Sequence, residues 1–398
     1  MNYTTIPFEI ELPEQAVVFD LNEFYALLTS LSDLRYRRGK RYQLAVLLAI
    51  AVLAKLAGQN QISDVAQWAK LRVEELAQLF HLTRLQMPHP TTWSRVLAGA
   101  VDPQALTKLV AHYLDQACQG PGQIPARGSL QLAVDGKALR GTIPLGKTTG
   151  VHLVAAYLPL NGVVLMQIAV EVKENEIVVA PKLLAQIDLR GMVVTGDAMF
   201  CQRQLSAAIV GAGGDYLWTL KANQKGVLED LELLFEEPPL LPGCSPMPTD
   251  FEEYEQWDKG HGRLEHRQIT VSSMLKEYTP WPHLEQVFKL ESWSSDSLNR
   301  TSYAVRDGLT SLPRKVAGPK RLLELARGHW GIEDGLHHRR DVSFEEDWSQ
   351  LRMGKAAEVN AVLNNTAIGL LIGQGVTNVA QARREFEYYC HKNLLAFT

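Results

Sequence analysis

The chain has 398 residues, 46% hydrophobic and 21% charged, a make-up that suits two or three cored domains and excludes a disordered or fibrous chain. Its four cysteines (Cys118, Cys201, Cys244, Cys390) include no C-x-x-C pair, so neither a zinc site nor a disulfide framework is signalled. The net charge of −4 hides a segregation: Val227 to Asp258 holds ten acids and no lysine or arginine, leaving the remainder positive by six and able to face phosphates.

Residues 1–24 read as an irregular arm, with acids from Glu9 to Glu23 where a secretory signal would need an apolar core. The longest apolar run, Leu44 to Ala54, is well short of the ~20 residues that cross a bilayer, so a cytoplasmic protein with no membrane contact is expected. A helical domain is predicted over 25–118. Near its start, five of the seven residues from Arg35 to Arg41 are basic. Arg37, Arg38 and Lys40 are therefore candidate phosphate contacts, with a solvated turn as the alternative.

A helix from about Gln43 to Ala57 ends at Gly58, which suits a C-cap. Ser63 is placed to cap the next helix, whose apolar residues run at helical spacing from Val65 to Phe80. Pro88 and Pro90 interrupt the pattern, Thr91 offers a cap for a short helix, and Asp102-Pro103 opens another. Such helices suit a helix-turn-helix module exposing Thr92, Ser94 and Arg95, or a small bundle with no nucleic-acid role.

Glycines and prolines from Gln119 to Gly128 mark a linker, and a second domain is expected over 129–372. Alternation from Leu130 to Val134 predicts a strand that ends in Asp135. Val151 to Tyr157 and Val163 to Val172 read as strands joined by a turn at Asn161-Gly162. Pro181 opens a helix, Met192 to Thr195 forms a strand running into Asp197, a helix covers about Phe200 to Val210, and Tyr216 to Leu220 is a further strand. This order gives a mixed α/β sheet flanked by helices. An acidic, proline-rich insertion with β character follows at about 225–310, then a helix over about Lys320 to Arg339 and another over Glu358 to Ile372. Residues 373–398 read as a tail.

Two carboxylates at the ends of apolar strands are a chemical signal, because loops at strand ends are free of packing and project functional side chains. If the strands ending at Asp135 and Asp197 are neighbours, their like charges are unfavourable unless a divalent cation is shared, and hard oxygen donors suit Mg²⁺ or Mn²⁺. Glu333, on a later helix, can complete such a site. The plainer readings are a turn at Asp135-Gly136 and a helix cap at Asp197.

Five motifs in order, Val134-Asp135-Gly136-Lys137, Thr195-Gly196-Asp197-Ala198-Met199, Leu220-Lys221-Ala222-Asn223-Gln224, Gly260 to Arg267, and His329-Trp330-Gly331-Ile332-Glu333, resemble insertion-sequence transposases of the DDE type. The subgroup is the one that includes the H-repeat-associated proteins. The resemblance implies a catalytic domain with the RNase H-like fold and a β-rich insertion, preceded by an all-helical domain. It also implies that Asp135, Asp197 and Glu333 bind two Mg²⁺ or Mn²⁺ ions. The activity implied is cleavage at the ends of a mobile element and strand transfer into target double-stranded DNA, by a homodimer. A nuclease without strand transfer, or a DNA-binding remnant, are the competing activities.

Related transposases carry Tyr, Arg, Glu and Lys in a spaced pattern, and this chain holds Ala326, His329, Glu333 and Arg340 there. Arg340 and His329 are thus candidate phosphate contacts, as is Lys221. His261, Arg263 and Arg267 could contact DNA, with an ion pair from Arg263 or Arg267 to Glu265 as the alternative. On an α-helix Glu333 would share a face with His329, His337 and Arg340, which favours it over Asp334, turned ~100° away, as the third ligand; Asp341, eight residues on, shares that face if the helix continues and is the rival.

Overall fold

The structure is a computed structural model that describes residues 20–119, 124–171, 174–236, 249–260, 262–296 and 300–390. The chain enters it at Asp20, whose carboxylate accepts from the Glu23 amide at 2.9 Å and starts α1 (Leu21–Thr29), so the last residues of the expected arm are helical. α2 (Leu44–Leu56) is buried at every position, Lys55 included, and Gly58 at φ +85° turns the chain out of it. The next helix is two: α3 (Ile62–Leu71) breaks at Arg72 before α4 (Val73–Leu79). Ser63 lies inside α3 and makes no cap. α5 (Pro90–Gly99) is capped by His89 rather than Thr91, its Nδ1 accepting the Thr91 amide at 3.3 Å. α6 (Pro103–Gln119) starts on the Asp102 carboxylate, which accepts from the Ala105 amide at 3.0 Å.

The sheet begins with β1 (Leu130–Ala138), β2 (His152–Leu158) and β3 (Val163–Ala169). α7 (Glu176–Leu184) follows, capped by Asn175 with Pro181 inside it rather than at its start. Then come β4 (Met192–Gly196), α8 (Arg203–Gly211), β5 (Asp215–Thr219) and α9 (Lys225–Phe235). The insertion, expected only to have β character, supplies four strands: β6 (Glu252–Gly260), β7 (Arg263–Ser272), β8 (Gln286–Asp296) and β9 (Thr301–Thr310). β6 escapes a hydrophobic reading because it is an acidic, half-exposed edge strand, the kind of edge that resists pairing with another chain.

All nine strands form one sheet in the order β3-β2-β1-β4-β5-β9-β8-β7-β6, with β1, β4 and β5 parallel and the other pairs antiparallel. The insertion is therefore continuous with the sheet, joined where Trp218 of β5 faces Leu309 of β9. α10 (Pro319–Gly328) lies over this junction, against β1, β5, β6 and β7.

α11 (Ala356–Ile372) packs on α2, α5 and α6 and also on β3, so helical region and sheet share one apolar core. The expected tail contains α12 (Val379–Tyr388). Glu387 accepts from Trp68 Nε1 at 3.0 Å and from Arg72 at 2.6 Å, and buried Arg383 donates to the Lys55 carbonyl at 2.8 Å. α12 is thereby pinned to the helical region. Among the described residues no helix is long and apolar enough to cross a membrane.

Candidate active site

β1 and β4 lie side by side and parallel, and their shared ladder ends where Val134 faces Gly196. Asp135 and Asp197 each stand one residue beyond that last pair. Asp135 is not at the end of its strand, since β1 continues to Ala138 on its β2 side with Ala155 facing Asp135. Asp197 precedes a 3₁₀ turn at Ala198–Phe200 but its carboxylate makes no capping bond, so that plainer role does not occupy it.

The two carboxylates differ in state. Burial pushes Asp135 up to about 6, and the negative charges of Asp197 and Glu176 push the same way, against the Gly136 amide and His329. Asp197 is half exposed and is held below the usual carboxylate range, chiefly by its contact with His329 and also by Lys221. His329 is 7% exposed; its Nε2 is 3.6 Å from Asp197 and its Nδ1 is 3.3 Å from Thr195 Oγ1. Nε2 has no hydrogen-bond partner, because 3.6 Å is too long to count as one.

The segment after α10 departs from α geometry. Two π-helical turns cover Glu333–His337 and Arg339–Ser343. Each residue in a π turn rotates the chain by roughly 80° instead of ~100°, so over seven residues the two faces diverge by about a third of a turn. Glu333 is exposed while Arg340 points inward, fully buried, with Nη2 2.6 Å from Glu346 and Nη1 donating to Gln167 at 3.3 Å. Arg340 therefore does not present itself to a phosphate. His337 still faces the strands, its Nδ1 3.4 Å from Asp135, and burial drives its imidazole down to about 3, so it is neutral. Asp341 is engaged by Lys137, whose Nζ donates at 2.5 and 2.6 Å. Gly331 and Gly335 are the available signal for this irregularity: glycine weakens α-helix, and a side chain at Gly331 would meet Pro159 at 2.8 Å.

A cleft of about 620 Å³ opens between this segment and β5, β8 and β9, and Asp197 and Glu333 both line it. Lys221 lines it as an exposed cation. Arg267 lines it too, but pairs with Asp258 at 2.9 Å and with Glu265, which is the alternative that the sequence left open. Arg263 is exposed on β7 outside the cleft lining, and His261 lies outside the described residues. Arg37, Arg38 and Lys40 are exposed in the helical region, with Lys40 donating to the Asp33 carbonyl at 2.9 Å. Sequence reasoning gave no role to Arg306, Arg327 or Trp330, which line the cleft, or to Glu176. The Glu176 carboxylate, held by His152 at 2.6 Å, lies against Gly136, where an added Cβ would meet it at 2.3 Å.

The carboxylates of Asp135 and Asp197 are hard oxygen donors of the type that Mg²⁺ and Mn²⁺ prefer, and Asp135, raised mainly by burial and to a smaller degree by the Asp197 and Glu176 charges, is a carboxylate that a cation would help to ionise. Among the described residues no three or more His, Cys, Asp or Glu side chains are grouped so as to hold a metal ion. The two aspartates stand side by side at the end of the β1–β4 ladder, and Glu333 lines the same cleft as Asp197.

Residues 127–370 match the family described as Transposase DDE domain, and residues 25–114 match the one described as DDE_Tnp_1-associated. The chain is 29% identical over 347 residues to YncI of Escherichia coli O157:H7, provisionally named a transposase, covering 85% of this chain and 84% of that one. It is 25% identical over 385 residues to YhhI of Escherichia coli strain K12, provisionally named an H repeat-associated transposase, covering 95% and 97%. Among solved structures, a piggyBac transposase in its synaptic complex with hairpin DNA aligns with a TM-score of 0.44 and 11% identity, over 94% of this chain and 78% of that one.

Proposed function

The chain belongs to the transposase DDE family, and from that premise we propose that it is a DNA transposase, cutting at the ends of a mobile element and joining the freed 3′ hydroxyl to target DNA. The observation that carries this reading is the pair Asp135 and Asp197, one residue beyond the last rung of two parallel strands, with Glu333 lining the same cleft as Asp197. We assign the catalytic domain, of RNase H-like type, to 129–372 with its insertion at about 225–310, and DNA recognition to the helices of 25–118. The working form is a homodimer on two DNA ends.

Asp135, Asp197 and Glu333 would hold two Mg²⁺ or Mn²⁺ ions. Such a pair supplies activation of the attacking hydroxyl and stabilisation of the leaving oxygen in an in-line displacement. The chain's own residues do the rest. His337, neutral and against Asp135, orients that carboxylate without competing as a cation. His329, and to a smaller degree Lys221, keep Asp197 ionised, and Lys221 also offers a charge to the incoming phosphate.

The test is a duplex carrying the element end, with a labelled 3′ strand. Cleavage and strand transfer should require Mg²⁺ or Mn²⁺, and Asp135→Ala or Asp197→Ala should abolish both while DNA binding stays nearly intact. Full activity in chelator, or in either variant, would overturn the assignment. Cleavage without transfer would instead leave a nuclease built on the same site.

A further inference from the structure

Three arginines line the cleft, and two of them are already paired. Arg267 has Asp258 and Glu265, and Arg327 has Asp258 at 3.0 Å. Arg306 is different. It stands on β9 opposite Leu290, only partly accessible, and among the described residues no carboxylate or carbonyl is paired with it. It stacks on Trp330, over whose ring the guanidinium carbon lies at 4.4 Å.

An unpaired, part-desolvated cation is costly, and burial together with the Arg267 charge lowers the Arg306 pKa from its ordinary value. Among the described residues only the Trp330 ring stands against that cost, and no counter-charge does. Stacking on an indole, however, occupies only the flat face of a guanidinium. Its in-plane N–H groups remain free, and their fork matches two oxygens of a phosphodiester. Trp330 lies three residues before Glu333, and its carbonyl accepts from the Asp334 amide at 3.0 Å, so the stack is fixed to the turn that carries Glu333.

Resting on the transposase reading above, we propose that Arg306, stacked on Trp330, grips a phosphodiester of the DNA strand next to the cleavage site and so positions that strand between Asp197 and Glu333. This is the phosphate contact that the motif pattern placed at Arg340, supplied from β9 instead of from the helix. Lysine could not replace it fully, since an ammonium neither stacks flat nor donates as a fork. Glu232 and Asp307 also line the cleft, and their carboxylates disfavour a phosphate beside them.

The experiment measures affinity for uncut duplex DNA in chelator as a function of salt, with the full chain carrying Arg306→Gln, Arg306→Lys or Trp330→Leu. Arg306→Gln should weaken binding roughly tenfold and lower the slope of log affinity against log salt by about one. Arg306→Lys should keep the slope and lose part of the affinity, and at saturating DNA with Mg²⁺ it should cleave more slowly than the wild type. Trp330→Leu keeps the charge and loses its seat, so it too should slow cleavage with the slope retained. A purely structural Arg306 would change thermal stability and leave the slope alone. Wild-type slope and affinity in Arg306→Gln would overturn this inference and leave the transposase reading standing. A wild-type protein that binds no DNA would overturn both.

Discussion

The two halves of the candidate site are built by different rules. Asp135 and Asp197 are placed by a hydrogen-bonded ladder whose register leaves no choice: once Val134 faces Gly196, the next residues on both strands are neighbours. Glu333, His337, Asp341 and Arg340 are placed by a helix that changes its pitch, so their faces depend on where the π turns fall. A ladder with a period of two tolerates no drift, whereas a helix accumulates rotation with every residue. Two strand positions can thus be inferred from one apolar run each, while helix positions a few residues apart cannot be inferred from spacing alone.

The sharpest way to break this comparison is to ask which helix-borne carboxylate matters. Glu333 is exposed on the cleft, and Asp341 is held by Lys137. Glu333→Gln, which removes charge with little change of shape, should lower metal-dependent cleavage by orders of magnitude and leave the thermal midpoint nearly unchanged. Asp341→Asn should leave most cleavage and instead destabilise the fold, since Lys137, 8% exposed, then loses its nearer counter-charge and keeps only Asp347 at 3.9 Å. The reverse result would transfer the third carboxylate to Asp341 and remove the alignment through His329-Trp330.

That contrast also marks what was legible in the sequence. The strands bearing Asp135 and Asp197 were visible because apolar alternation ending in Asp is a local pattern, α2 because its long apolar run is one too, and α6 because Asp102-Pro103 marks its start. The edge strand β6 was hidden by its acids, and α12 because its docking depends on Trp68 and Arg72 far away in the chain. Arg340 failed for a third reason: its partner Glu346 lies six residues on, and only the π turn brings the two together in the core.

Arg340 gives the second test, of intermediate size. Arg340→Met leaves Glu346 buried with its Asn364 bond but no cation, and breaking one side of a buried pair costs ~3–5 kcal/mol. The unfolding midpoint in urea should fall accordingly, with the salt dependence of DNA binding unchanged. Replacing Arg37, Arg38 and Lys40 together by Ala should do the opposite, flattening the salt dependence at little cost to stability. An unchanged slope there would mark that loop as a solvated turn, and a changed slope in Arg340→Met would return Arg340 to the DNA surface.

The smallest effect probes the contact where the two halves meet, His337 against Asp135 at 3.4 Å. Asp135 titrates at about 6 in the fold against an ordinary 3.8, so across that window the folded state holds the extra proton and stability falls as pH rises. His337 titrates at about 3 against 6.5, so the unfolded state holds the extra proton and stability rises with pH across its own window. Each slope is at most ~1.4 kcal/mol per pH unit, and between about pH 4 and 6 they oppose and largely cancel. In the wild type their joint contribution to stability should be nearly flat there. Asp135→Asn removes the falling component, so its stability relative to wild type should climb with pH; His337→Asn removes the rising one, so its relative stability should decline. Urea unfolding at half-unit pH steps reads both differences. Three superimposable profiles would mean that neither group is held away from its ordinary state, and the burial at the end of the β1–β4 ladder would then not be the source of the charge asymmetry between Asp135 and Asp197.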